Sequence, residues 1–194
     1  MARKSARQKI DENLASQDEG LRWYFSILPE ALDEVSTASP ALAYAFQLIE
    51  SGQRVGLYAL IMREYRTNDE LTWKAVDRID ITRSNFPLLF AKISGKKLDK
   101  AGRGVIKPAE EVRDAIMHGR EKSEAEMQEA ILRCLEYAEF LNDEFSAKVG
   151  FRPFGKLQGV TSKKGIPQLP RKISQLVLDG LLQKIEPERK SPAA

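Results

Sequence analysis

The sequence predicts an all-α protein: an up-and-down bundle of about four core helices, with an N-terminal helical arm and a C-terminal extension. Three observations predict it. Long segments carry apolar residues at helical spacing, and no stretch alternates apolar and polar residues as a half-buried strand would. The 194 residues are 42% apolar and 30% charged, enough to bury a core. Gly and Pro fall between the periodic segments rather than within most of them.

Taken in order, residues 1–16 are polar and read as a frayed arm. Residues 17–36 read as a helix broken near Pro29, with Trp23, Tyr24 and Phe25 packing onto the core. Ser39 offers an N-cap, with Pro40 at the first helical position, and a long helix follows to about Arg66. Leu42, Phe46, Ile49, Leu57, Leu60 and Ile61 lie near one side of it. Gln47, Ser51, Arg54 and Tyr58 form a second, more polar stripe. Gly52 and Gly56 either weaken this helix or let another approach closely. Asn68 caps a helix over about 69–93, which Pro87 should break or kink. Residues 94–107 are a Gly/Lys-rich loop. Lys107-Pro108 opens a short helix with Glu110 and Glu111 in its first turn, where the macrodipole favours them. That helix ends at Gly119.

Ser123-x-x-Glu126 is a capping box that opens the strongest helix of the chain. Its apolar stripe runs Met127, Ile131, Cys134, Leu135, Ala138, Leu141, Phe145, and Gly150 closes it. Residues 151–170 read as an irregular basic linker, and 171–185 as a last short helix. The expected organisation is an arm and helix over 1–38, the bundle over 39–150, and linker plus helix over 151–194.

The chain has one histidine and one cysteine. A Cys/His zinc site needs about four such ligands, so a self-contained structural zinc is excluded, and no metal or cofactor is expected. Cys134 has no partner for a disulfide within its own chain. A lone cysteine and no signal-like segment suit a reducing cytoplasm. No apolar run approaches the ~20 residues that cross a bilayer, so no membrane partner is expected. Any imidazole chemistry must use His118, or His118 from two copies of the chain.

The net charge of +3 conceals a segregation. Residues 1–9 carry +4, residues 92–109 carry +5 and residues 145–178 carry +7, so the remainder carries −13. Basic Gly/Pro/Lys-rich stretches beside an acidic helical body suit a polyanion such as RNA.

The informative stretch is Glu110-Glu111-Val112-Arg113-Asp114-Ala115-Ile116-Met117-His118-Gly119-Arg120. It places the only histidine five residues after an arginine, at a helix end. Asp114 and His118 are four apart and share a face. Arg113 lies about 140° round the helix from His118. This stretch resembles the HEPN family (higher eukaryote and prokaryote nucleotide-binding domains), which is marked by an Arg, a polar residue and then a His at this kind of spacing. The match is Arg113, Asp114 and His118-Gly119, within a long-short-long order of helices over about residues 39–150. Asp114 stands where the family often has Asn, and adds negative charge where an RNA phosphate would approach.

The resemblance implies a metal-independent endoribonuclease, of a toxin or defence type, acting as a homodimer with two motifs facing each other. It also implies the option of a nucleotidyltransferase-like antitoxin as partner. The expected catalytic set is Arg113, His118 and Asp114. RNA cleavage through the 2′-OH needs a base, an acid and a cation for the phosphorane; imidazole suits the first two and guanidinium the third. Lys96, Lys97, Lys100 and Arg103 before the motif helix, Arg120 after it, Arg54 with Ser51 on the polar stripe, and Lys163, Lys164, Arg171 and Lys172 in the extension are candidate phosphate contacts. The alternative is a non-catalytic helical module that binds RNA, nucleotide or a protein partner.

Overall fold

The structure is a computed structural model and describes residues 5–33, 37–82, 85–156 and 167–182. Among the described residues it is all-α, with ten helices and no strand. They are α1 (Ala6–Ser16), α2 (Glu19–Tyr24), α3 (Leu28–Asp33), α4 (Ser39–Tyr65), α5 (Asp69–Asp77), α6 (Phe86–Ser94), α7 (Lys100–Arg103), α8 (Lys107–Met117), α9 (Glu124–Val149) and α10 (Arg171–Leu182). They form two compact units. The first comprises Met1–Gly56 with Leu98–Gly159, and the second Leu57–Lys97 with Val160–Ala194.

The first unit is built on α9. Its start is the predicted capping box: Ser123 Oγ accepts from the Glu126 N–H at 3.3 Å, and the Glu126 carboxylate accepts from the Ser123 N–H at 2.9 Å. The Lys122 ammonium at 2.9 Å and Ser123 hold that carboxylate at a pKa of about 2. At the far end Gly150 takes the left-handed conformation (φ 76°) and its N–H returns to the Phe145 carbonyl. Between the caps, Met127, Ile131, Cys134, Leu135, Ala138, Leu141 and Phe145 are all buried, as their spacing predicts. Burial pushes the Cys134 thiol well above its ordinary pKa, so it is a core hydrophobe and not a nucleophile.

Both α1 and α8 pack on α9. The first of these corrects the expectation of a frayed arm. Ser5 and Gln8 form a capping box, Ile10 and Leu14 are buried, and Arg7 ties Asp11 (3.2 Å) to Asp33 (2.8 Å). Two apolar residues one helical turn apart were enough to dock a short, otherwise polar helix. The break after α2 precedes Pro29, which sits in the first turn of α3, where a missing N–H costs nothing. Likewise α4 begins at the Ala38 carbonyl, which accepts from the Leu42 N–H at 2.8 Å, one residue earlier than a Ser39 cap would give.

The segment after α9 was expected to be linker. Instead Phe151 and Phe154 are buried in the core. Asn142, itself buried, clamps Phe154: its side-chain amide donates to the Phe154 carbonyl at 2.9 Å, and its side-chain oxygen accepts the Phe154 N–H at 2.9 Å. The Phe154 ring meets Tyr24 edge-on (5.4 Å) and stacks on Phe25 (6.4 Å). It fills the space beside Gly52, where a Cβ would come within 2.1 Å of the ring. The close approach that Gly52 allows is therefore to an aromatic ring of a loop. At Gly56, Phe145 of α9 and Pro153 come near instead.

The second unit joins the end of α4 to α5, α6 and α10. The Asn68 side chain caps α5 as predicted (3.2 Å to the Leu71 N–H). Ser174 of α10, fully buried, accepts from the Asn68 N–H at 2.8 Å and donates to the Leu169 carbonyl at 3.1 Å. The single helix expected over 69–93 is two helices. The chain breaks after α5, well before Pro87. Asn85 and Thr82 exchange side-chain to backbone hydrogen bonds (2.7 and 3.2 Å), a turn that competes with the helix. Pro87 then falls within the first turn of α6, a position that tolerates it. Residues 183–185 of the last expected helix lie outside the described residues.

Two predictions follow from the first unit. Phe154→Ala should cost about 3–5 kcal/mol through its cavity, and Gly52→Ala about 1–3 kcal/mol through overpacking. Urea unfolding checks both. Labelling of Cys134 by a thiol reagent under native conditions should accelerate in parallel, because the thiol reacts only when the core opens. The second concerns acid. The Glu126 carboxylate is held below its ordinary value, so its contribution is complete above about pH 4.5 and disappears as pH falls towards about 2. Glu126→Gln keeps an acceptor without the charge, so its Tm should fall less than that of the wild type between pH 5 and 3.

Candidate functional site

The motif residues ride on α8, whose Ala109 and Ala115 are buried and face the core. Pro108 lies in its first turn. Its C-terminus is a complete Schellman cap. His118 is the C-cap, Gly119 turns left-handed (φ 72°), the Gly119 N–H donates to Ile116 (2.9 Å) and the Arg120 N–H donates to Ala115 (2.9 Å). The His-Gly pair therefore has a structural reason at its glycine. Its histidine side chain has none that the fold supplies: it is exposed, and among the described residues it has no hydrogen-bond or ion-pair partner.

Arg113 is placed quite differently. Its guanidinium lies over the Phe46 ring of α4, 4.5 Å from the centroid. Nη2 is 3.1 Å and Nε 3.3 Å from Asp114 Oδ1, and Nη1 is 3.7 Å from Glu50 Oε1. The side chain is about one-third exposed (35%). The two expected catalytic partners Arg113 and Asp114 are thus brought together. The His118 side chain has no hydrogen bond or ion pair to either among the described residues; its angular offset along the helix separates it from Arg113, while Asp114, on its own face, is turned to Arg113. Phe46 and Glu50, one turn apart on α4, are the residues that sequence reasoning missed here. Phe46 reads as an ordinary core position, and nothing local ties Glu50 to Arg113.

The surrounding cations are dispersed. Arg120 is exposed directly after the cap. Lys100 is exposed on α7, in the first unit; the Arg103 side chain lies outside the described residues. Lys96 and Lys97 are exposed but belong to the second unit. The Gly/Lys stretch around them is anchored by buried Leu98 and Ile106 and contains α7, so it is not a free loop as expected. Arg54 is half-buried in α4 and Ser51 exposed. Arg171 pairs with Glu70 at 3.2 Å, and Lys172 is exposed beside it in the second unit. Lys163 and Lys164 lie outside the described residues.

Chemically, the arrangement offers one accessible imidazole at a helix end and one arginine whose charge is already matched by two carboxylates. Among the described residues no group of three His, Cys, Asp or Glu side chains could hold a metal ion. No helix among them is long and apolar enough to cross a membrane. No family model, no curated protein and no solved structure matches the chain.

Proposed function

We propose that this protein is a HEPN-like, metal-independent endoribonuclease of toxin or defence type that works as a homodimer. The observation that carries the reading is the imidazole of His118, exposed and without a partner among the described residues, closing α8 five residues after Arg113. An imidazole in that state is accessible to a substrate and costs the fold nothing to use. One imidazole takes the proton from the ribose 2′-OH. The freed oxygen attacks the adjacent phosphorus, and the P–O5′ bond breaks. The leaving 5′ oxygen receives its proton from a second imidazole, leaving a 2′,3′-cyclic phosphate and a 5′-hydroxyl. A chain with a single histidine supplies both proton carriers only as a pair of copies.

A second reading is favoured by a specific observation. Arg113 is stacked on Phe46 and paired with Glu50 and Asp114, as a structural arginine would be. On this reading the chain is a non-catalytic helical module that binds RNA through its basic stretches.

The discriminating experiment is incubation of purified protein with total RNA in EDTA, beside His118→Ala. Cleavage with 2′,3′-cyclic phosphate ends is expected from the wild type and should fall at least about a hundredfold in the variant, the order of a lost acid–base group. Because His118 is exposed and unpartnered, its Tm should be unchanged within the range of ordinary surface substitutions. Arg113→Lys should weaken cleavage while also lowering stability through Phe46. Identical RNA profiles from wild type and His118→Ala would sink the catalytic reading. RNA retention without cleavage, falling steeply with salt, would establish the second.

A further inference from the structure

Helix α10 carries two apolar faces where a surface helix needs one. Ser174 and Leu178 are buried on the face towards α5 and α6. On the other side Ile173 is 45% and Leu176 68% exposed, and with Val177 and Gly180 they form a stripe at i, i+3, i+4 and i+7. Gly180 sharpens the point. A Cβ built there would meet nothing within 4 Å, and its φ is not in the left-handed region. Among the described residues nothing calls for a glycine there, and a glycine weakens a helix interior. On an exposed apolar stripe, what a missing side chain provides is room for another backbone.

We propose that this stripe pairs, antiparallel, with α10 of a second copy of the chain. The choice of occupant rests on self-complementarity. Take an antiparallel pair centred between Leu176 and Val177. Ile173 of one copy then faces the vacant surface of Gly180 on the other, and Leu176 packs against Val177. The flanking charges agree with this register. Lys172 and Asp179 lie on the same flank of the stripe, within about 20° of each other round the helix. In an antiparallel pair that flank meets its own counterpart, so Lys172 of each copy lies about one half-turn from Asp179 of the other. In a parallel pair that flank would meet the opposite flank of the partner, and Lys172 would have no Asp179 to face. Exposed ion pairs add little affinity, so this contact bears on the orientation of the pair more than on its strength. The interface is small, so the association is weak and populated at roughly tens to hundreds of micromolar. It lies in the second unit and is independent of the ribonuclease reading, which concerns α8.

Sedimentation equilibrium of the full chain from about 5 to 500 µM tests it. The expected result is a concentration-dependent association, separate from any pairing through α8, whose dissociation constant rises at least about tenfold in Leu176→Glu, with unchanged helical circular dichroism. Lys172→Asp and Asp179→Lys should each weaken the dimer, and the two together should restore it. Leu176→Cys should cross-link copies under mild oxidation, whereas Gln175→Cys, off the stripe, should not. A chain that stays monomeric throughout would overturn the proposal. So would self-association of which no part responds to Leu176→Glu, or a double charge swap that fails to restore pairing.

Discussion

The first unit depends on one buried amide. Asn142 sits in the middle of an apolar helix face, where an unpaired polar side chain would cost about 1–3 kcal/mol for each orphaned group. It avoids that cost by satisfying the backbone of Phe154 at both N–H and C=O, as a neighbouring strand would. The chain after Gly150 is thereby folded back over α9 instead of leading away from it. Phe154 is delivered into contact with Tyr24 and Phe25, and into the slot that Gly52 leaves open. Remove the amide, and three segments distant in sequence lose their common neighbour.

That closure positions the motif. With the first half of α4 held by Phe154 at Gly52 and by Phe145 and Pro153 at Gly56, Glu50 and Phe46 are fixed two and six residues upstream of Gly52. With α8 packed on α9, Arg113 is presented to them. The stacking of a guanidinium on an aromatic face needs both helices in place, so Arg113 reports the assembly of the unit as much as it offers a charge. His118 lies beyond the last helical turn and owes its position only to the Schellman cap. The two motif residues therefore depend on different layers of structure: one on tertiary packing, the other on a local turn.

What was legible in the sequence was whatever local rules decide. The Ser123 box, the Asn68 cap, the Gly150 and Gly119 termini and the whole buried stripe of α9 follow from patterns spanning a few residues. Long-range pairings were not legible. Phe151 and Phe154 sit in a Pro- and Gly-containing basic stretch whose composition says linker, and long-range partners make it core: Asn142, twelve residues before Phe154, holds its backbone, and Phe145 meets the Phe151 ring. The apolar part of the α1 docking is Ile10 and Leu14, beside the Lys9–Glu129 and Gln17–Glu139 contacts, too few apolar residues to outweigh a polar composition. The break after Asp77 is hidden behind a more conspicuous proline. At the candidate site, the spacing singles out Arg113, Asp114 and His118 and is silent on Phe46 and Glu50. A helix's own periodicity says which way a side chain leaves it, and not what waits there.

Arg113 is where the two functional readings part, and the geometry says what separates them. Its flat face is occupied by Phe46, which leaves the edge of the guanidinium for partners. That edge is now taken by Asp114 at hydrogen-bond distance and by Glu50 farther off. A phosphate seeking the same edge brings its own negative charge to a position that Asp114 already neutralises, so it must displace a carboxylate that remains one residue away and repels it. The stacking on Phe46 works in the opposite direction: it holds the guanidinium plane fixed while the edge changes partners, which is the preorganisation a phosphate clamp requires. On the proposed ribonuclease reading, Asp114 is thus the residue that turns a ready clamp into a guarded one.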